Sequence, residues 1–183
     1  MLAAGFSLDD FSVAADTITY TGSMQVSSDL DISTCDLKVT ASGLTALNIH
    51  MDATLKAKTI EVFGTAHPGG GAHAITNNGK IITDTITSEA ISSGGGGAHA
   101  LMNYGEIEAN SITTNADTSG GGGGAHGLDN TGTINANTMT IGAHNFINEG
   151  TIITKIIKFC YIYGKGSLQA DQKICDTGCP CGG

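Results

Sequence analysis

One string recurs four times along the 183 residues and restricts the fold more than any other feature: Gly-Ala-His, ending at His73, His99, His126 and His144. Four residues beyond each histidine stands an asparagine (Asn77, Asn103, Asn130, Asn148), two further a glycine (Gly79, Gly105, Gly132, Gly150), and two further an isoleucine (Ile81, Ile107, Ile134, Ile152). Five residues later another apolar side chain follows: Ile86, Ile112, Met139 and Ile157. A register this strict marks a repeat architecture, in which each unit buries its apolar face only by stacking on the next. Extending the apolar pair outward finds Val13/Ile18, Ile32/Leu37 and Leu55/Ile60 upstream and Leu168/Ile174 downstream, about eight units in all. The first apolar position advances by 19, 23, 26, 26, 27, 18 and 16 residues, so the short units hold 16 to 18 and the long ones carry insertions. Those insertions are the glycine runs at 69–71, 94–97 and 120–124, which vanish before His144.

Within a unit the pattern alternates, as in Asp16-Thr17-Ile18-Thr19-Tyr20 and Asn137-Thr138-Met139-Thr140-Ile141, the period-2 signature of a strand built from β-branched residues. Two or three short strands per unit, joined by corners where Gly or Asn is expected to supply positive φ, predict an all-β, single-domain parallel β-solenoid of about eight coils with Gly-rich loop insertions. The solenoid is expected over residues 1–174, with its clearest repeats at 71–160 and degenerate coils at both ends, followed by a Cys/Gly-rich tail at 175–183. A thin coil admits only small aliphatics inside, in keeping with 5% aromatic residues and no tryptophan. At roughly 4.8 Å per coil, eight units would form a rod about 38 Å long.

Charge narrows the function. The net charge is −9, with eight lysines and no arginine, and residues 81–154 contain no lysine or arginine, so nucleic-acid binding and attraction to anionic membranes are not expected. The most apolar stretch, 152–163, is interrupted by Thr154, Lys155 and Lys158, so membrane insertion is not expected either. The start of the chain shows neither a basic region nor a long apolar one, so no signal peptide is visible.

The string Asn-x-Gly-x-Ile followed by alternating Thr and Ile, as in Asn130-Thr131-Gly132-Thr133-Ile134 and Asn148-Glu149-Gly150-Thr151-Ile152, resembles the repeats of filamentous-haemagglutinin-type and autotransporter-type surface proteins. The likeness covers roughly residues 71–160. It implies a right-handed parallel β-helix used in adhesion, at an extracellular or cell-surface location.

Equivalent histidines in adjacent coils should form a column, so His73, His99, His126 and His144 are candidates for a structural ladder, a shared metal ion or a pH-sensitive face. Protonation of packed imidazoles should make them repel, so acid is expected to loosen that face. The asparagines 77, 103, 130 and 148 should stack as a structural ladder, each amide donating to the next coil's carbonyl. The glycine runs are followed by Ala-His rather than Lys-Ser/Thr, which excludes a P-loop; they are expected to form flexible loops or extended polyglycine strands beside the coil. Five cysteines, Cys35, Cys160, Cys175, Cys179 and Cys181, are disulfide or cross-link candidates; the odd total permits a bond between subunits, and the tail cluster lacks a fourth zinc ligand at conventional spacing.

Enzymes built on parallel β-helices use clustered carboxylates or a basic residue in a groove, and this sequence offers neither, so no catalytic residue and no cofactor is expected. The expected function is that of a structural, self-assembling β-solenoid subunit of an extracellular or cell-surface fibre, stabilised by disulfides, whose partner is a further copy of itself. The alternatives are an adhesin-type binding module or fragment of a larger secreted β-helix, contacting a host surface or glycan, and an ice-binding protein. Thr17/Thr19, Thr85/Thr87 and Thr138/Thr140 fit the ice-binding pattern, and Lys38, Glu61 and Lys158 interrupt it.

Overall fold

In the computed structural model, the described residues are 11–14, 16–43, 45–66, 70–119, 123–142, 145–160 and 162–175. They form two stacks of strands and no helix: a parallel β-solenoid. The larger sheet runs β1 (Phe11–Ala14), β2 (Thr17–Thr21), β4 (Leu30–Ser42), β6 (Thr54–Ala66), β8 (Lys80–Ser92), β10 (Glu106–Thr118), β12 (Thr133–Gly142), β14 (Thr151–Phe159) and β16 (Ser167–Cys175). The smaller sheet contains β3 (Met24–Val26), β5 (Thr45–Ile49), β7 (Ala72–Asn77), β9 (Ala98–Asn103), β11 (Ala125–Asn130), β13 (Asn145–Asn148) and β15 (Ile162–Tyr163). From β2 onward consecutive strands along the chain therefore belong to opposite sheets, and every strand pair except β1/β2 is parallel.

The long strands carry two faces each. In β8, Ile81 and Thr83 point inward, Asp84 and Thr85 both stay outside, and Ile86, Ser88, Ala90 and Ser92 point inward again. The side-chain alternation thus shifts by one residue at a corner, so each regular coil has three sides. Repeated apolar positions line up through the stack: Leu37, Ile60, Ile86, Ile112, Met139 and Ile157 are consecutive partners, each at most 1% exposed. Leu55, Ile81, Ile107, Ile134 and Ile152 form a second such column at 0% exposure, and Leu47, Ile75, Leu101, Leu128 and Phe146 close the core from the smaller sheet.

The outermost repeats depart from the pattern expected of them. Val13 is not an upstream coil position, because β1 folds back antiparallel and pairs Val13 with Ile18. The residue in register with Leu55 is Leu30 rather than Ile32, which faces Ala57, because an irregularity between Ile32 and Asp36 takes up extra residues. At the other end Lys173, not Ile174, continues the column below Ile157, and Ile174 is 44% exposed.

Positive φ, expected at the corners, is found at some of them, and the glycines of the Asn-x-Gly corners have a different cause. Among the described residues positive φ occurs at Gly22, Gly43 and Gly164, not in the Asn-x-Gly corners. There the constraint is proximity: a Cβ on Gly105 would strike the Gly79 carbonyl, one on Gly132 the Gly105 carbonyl, and one on Gly150 the Gly132 carbonyl. The described parts of the glycine runs also stack coil on coil, with Ala72 N–H donating to Gly97 O at 2.9 Å and Ala98 N–H to Gly124 O at 3.1 Å. They lie outside the strands, with bends at 94–96 and 123, so they are neither polyglycine strands nor loops free of the coil but turns stacked on the next coil.

Candidate functional site

The repeated polar residues occupy opposite sides of the smaller sheet. Asn77, Asn103, Asn130 and Asn148 are at most 1% exposed, because they lie one alternation beyond the inward Ile75, Leu101, Leu128 and Phe146. Each amide donates to the amide oxygen of the next: Asn77 Nδ2 to Asn103 Oδ1, Asn103 Nδ2 to Asn130 Oδ1 and Asn130 Nδ2 to Asn148 Oδ1, all at 2.8 Å. Backbone carbonyls one coil on are secondary acceptors, as with Glu106 O at 3.1 Å from Asn77 and Thr133 O at 3.3 Å from Asn103. The ladder starts abruptly, because Ile49 holds the same position one coil earlier and leaves Asn77 Oδ1 buried without a donor.

The histidines lie on the outer side. In each regular coil two consecutive residues, Ala74/Ile75, Ala100/Leu101 or Gly127/Leu128, are both buried, so the histidine and the residue three beyond it emerge on the same outer surface. His73 stacks on His99 with ring centroids 5.0 Å apart and planes 14° from parallel, and His99 meets His126 at 4.7 Å and 37°. His144 lies outside the described residues, and the register sets Asn145 beside His126.

The residue that organises this column is absent from the sequence-derived set. Asp129, three beyond His126 on β11, accepts hydrogen bonds from Nδ1–H of His99 at 2.6 Å and of His126 at 2.9 Å, one on each carboxylate oxygen. All three side chains are only 21–24% exposed. Burial pushes the Asp129 carboxyl up, but the hydrogen bonds from His99 and His126 outweigh it and hold the group below the usual carboxylate range. His73 has no such partner. The place that Asp129 fills for His99 is occupied for His73 by Met102, so its Nδ1 is buried and unpaired. Burial, with the neighbouring His99 adding to it, lowers the His73 pKa against the opposing attraction of Asp129. Donor atoms of His99, His126 and Asp129 lie within 4.8 Å of one another, so these three could hold a metal ion. No repeated signal pointed to Asp129, since its register partners are Thr76, Met102 and Ile147.

A second, exposed ladder runs along the corner of the larger sheet, where Asn110 Nδ2 donates to Asp84 Oδ1 and Asn137 Nδ2 to Asn110 Oδ1, both at 2.9 Å. The nearby acids Glu106 and Glu108 are tied to Lys80 Nζ at 3.3 and 2.7 Å. On the outer face of the same sheet Thr85, Ser111 and Thr138 are successive partners, as are Thr87, Thr113 and Thr140. Lys38, salt-bridged to Glu61 at 2.7 Å, bounds that array on one side and Lys158 on the other.

Cys35 is a free thiol within the irregular part of β4, 3.7 Å from Thr34 Oγ1, and Cys160 follows β14 and is not free. Cys175 ends β16, and Cys179 and Cys181 lie outside the described residues. No helix among the described residues is long and apolar enough to cross a membrane. The chain matches no protein-family model, no curated protein and no solved structure.

Proposed function

We propose that the chain is a structural β-solenoid module of an extracellular or cell-surface fibre, and that its partner is a further copy of itself. The observation that carries this reading is the edge of β16. This strand of nine residues is the last of the larger sheet among the described residues, and in it Leu168 and Ala170 are only partly buried, although their partners Ile152 and Thr154 are 0% and 5% exposed. An edge with unpaired backbone groups over half-covered apolar side chains is a template for another strand. The opposite edge of the same sheet is β1, antiparallel and four residues long, so the β16 edge is the stronger of the two templates. Lys173 in the core column is a charge at the rim of that end, of the kind that restrains indiscriminate pairing. Cross-links through the tail cysteines would lock such contacts, and the likeness of the Asn-x-Gly-x-Ile repeat to filamentous-haemagglutinin-type surface proteins supports the location. Negative-stain electron microscopy and sedimentation with and without reductant test the reading. Paired or fibrous rods are expected, shortened by reductant if disulfides join them; monomers alone at every concentration would overturn it.

A second reading, ice binding, is favoured by the two-by-three array of Thr85/Thr87, Ser111/Thr113 and Thr138/Thr140 on one sheet. Thermal hysteresis that disappears in Thr113→Lys would establish it.

A further inference from the structure

We propose that His99, His126 and Asp129 form a binding site for one divalent transition-metal cation of the zinc, nickel or copper class, on the outer side of the smaller sheet. Two imidazole nitrogens and a carboxylate are an N₂O donor set of the kind these borderline ions select, whereas calcium and magnesium require more oxygen ligands than the single carboxylate supplies. The donor atoms already converge within 4.8 Å, and parallel stacking enforces this, because His99 and His126 are direct register partners. Zinc bonds of about 2.0–2.1 Å place tetrahedral ligands about 3.3 Å apart. The present contacts of 2.6 and 2.9 Å would therefore open by roughly half an ångström as the ion replaces the Nδ1 protons.

Charge supplies an independent argument. Asp129 is mostly buried, its two partners are imidazoles with no permanent charge, and residues 81–154 contain no lysine or arginine. A bound cation would neutralise a half-buried carboxylate that has no fixed counter-ion. His73, stacked on His99, forms one wall without contributing a donor to the cluster. With three protein ligands, solvent or an exogenous group completes the coordination, and the partial exposure of all three side chains leaves access for it.

The chain, with its free thiols alkylated so that thiolates do not compete, is titrated with zinc chloride by calorimetry and by ¹⁵N spectra of the histidine rings. One equivalent is expected to bind, shifting the ring nitrogens of His99 and His126. Asp129→Asn should weaken binding at least about tenfold, and the double change His99→Gln, His126→Gln should abolish this equivalent. Far-UV circular dichroism of each variant without metal separates loss of ligand from loss of fold. Undiminished binding in a folded Asp129→Asn chain, or ring shifts confined to His50, His67 or His144 in the unsubstituted chain, would overturn the proposal. The second readout requires no variant to fold.

Discussion

Replacing Asn103 by alanine removes the middle rung of a buried amide ladder, and the cost can be worked from its contacts. The side chain gives a 2.8 Å bond to Asn130 Oδ1 and receives one of 2.8 Å from Asn77 Nδ2, with longer 3.3 Å contacts to the Gly105 and Thr133 carbonyls. Two short bonds at a net ~1 kcal/mol each, plus ~1–2 kcal/mol for stranding the Asn130 oxygen, predict a loss of about 3–4 kcal/mol. Asn77 is less affected, because its Nδ2 keeps Glu106 O at 3.1 Å. The informative contrast is Asn77→Ile. Isoleucine already occupies this column at Ile49, and the change eliminates an oxygen that is buried without a donor, while stranding the next one at Asn103. Its net cost should be about 1 kcal/mol or less. Urea unfolding followed by far-UV circular dichroism reads both variants against the unsubstituted chain. A loss below about 1 kcal/mol for Asn103→Ala, or equal losses for the two, would refute the reasoning that interior rungs carry the ladder.

Thr114 is 1% exposed with an unpaired hydroxyl in a column that holds Ile141 one coil on, so Thr114→Val should stabilise by about 1 kcal/mol, read as a higher urea midpoint. Gly105→Ala should destabilise by several kcal/mol because its Cβ would strike the Gly79 carbonyl, while Gly95→Ala, with open space around it, should stay within roughly 0.5 kcal/mol; thermal melts of the two compare them directly. For pH, the folded-state pKa of His73 lies below its ordinary value, so its contribution is complete above about pH 6.5 and is lost as pH falls below that. Asp129, also lowered, loses its contribution only below the ordinary carboxylate range. The melting temperature should therefore fall modestly between roughly pH 8 and pH 5. His73→Thr, which repeats the Thr45 found one coil earlier, should flatten the curve; a fall of the same size in that variant would exclude His73 as its source.

The carboxylate of Asp129 lies between two of the stacked histidines. Asp129 bridges His99 and His126, while burial opposes protonation of the unpaired His73. That distinction is invisible in the repeat, where all the histidines stand in equivalent strings.

The repeat by itself determined the parallel stacking, the inward isoleucine columns and the placement of Asn77, Asn103, Asn130 and Asn148 in one line, because side chains at equivalent places in successive units meet when coils stack in register, whatever the length of the insertion between them. Tertiary structure alone decided where the interval breaks. The irregularity between Ile32 and Asp36 exchanged Ile32 for Leu30, antiparallel β1 displaced Val13, and β16 brought Lys173 under Ile157. It also decided that the glycines of the Asn-x-Gly corners answer to a neighbouring carbonyl, whereas positive φ falls at Gly22, Gly43 and Gly164. Above all it joined Asp129 to His99, 30 residues earlier in the chain. Periodicity can find only what recurs, and Asp129 occurs once in its column; its role exists because paired buried residues turn positions three apart toward the same side and the coil spacing brings two imidazoles to one carboxylate.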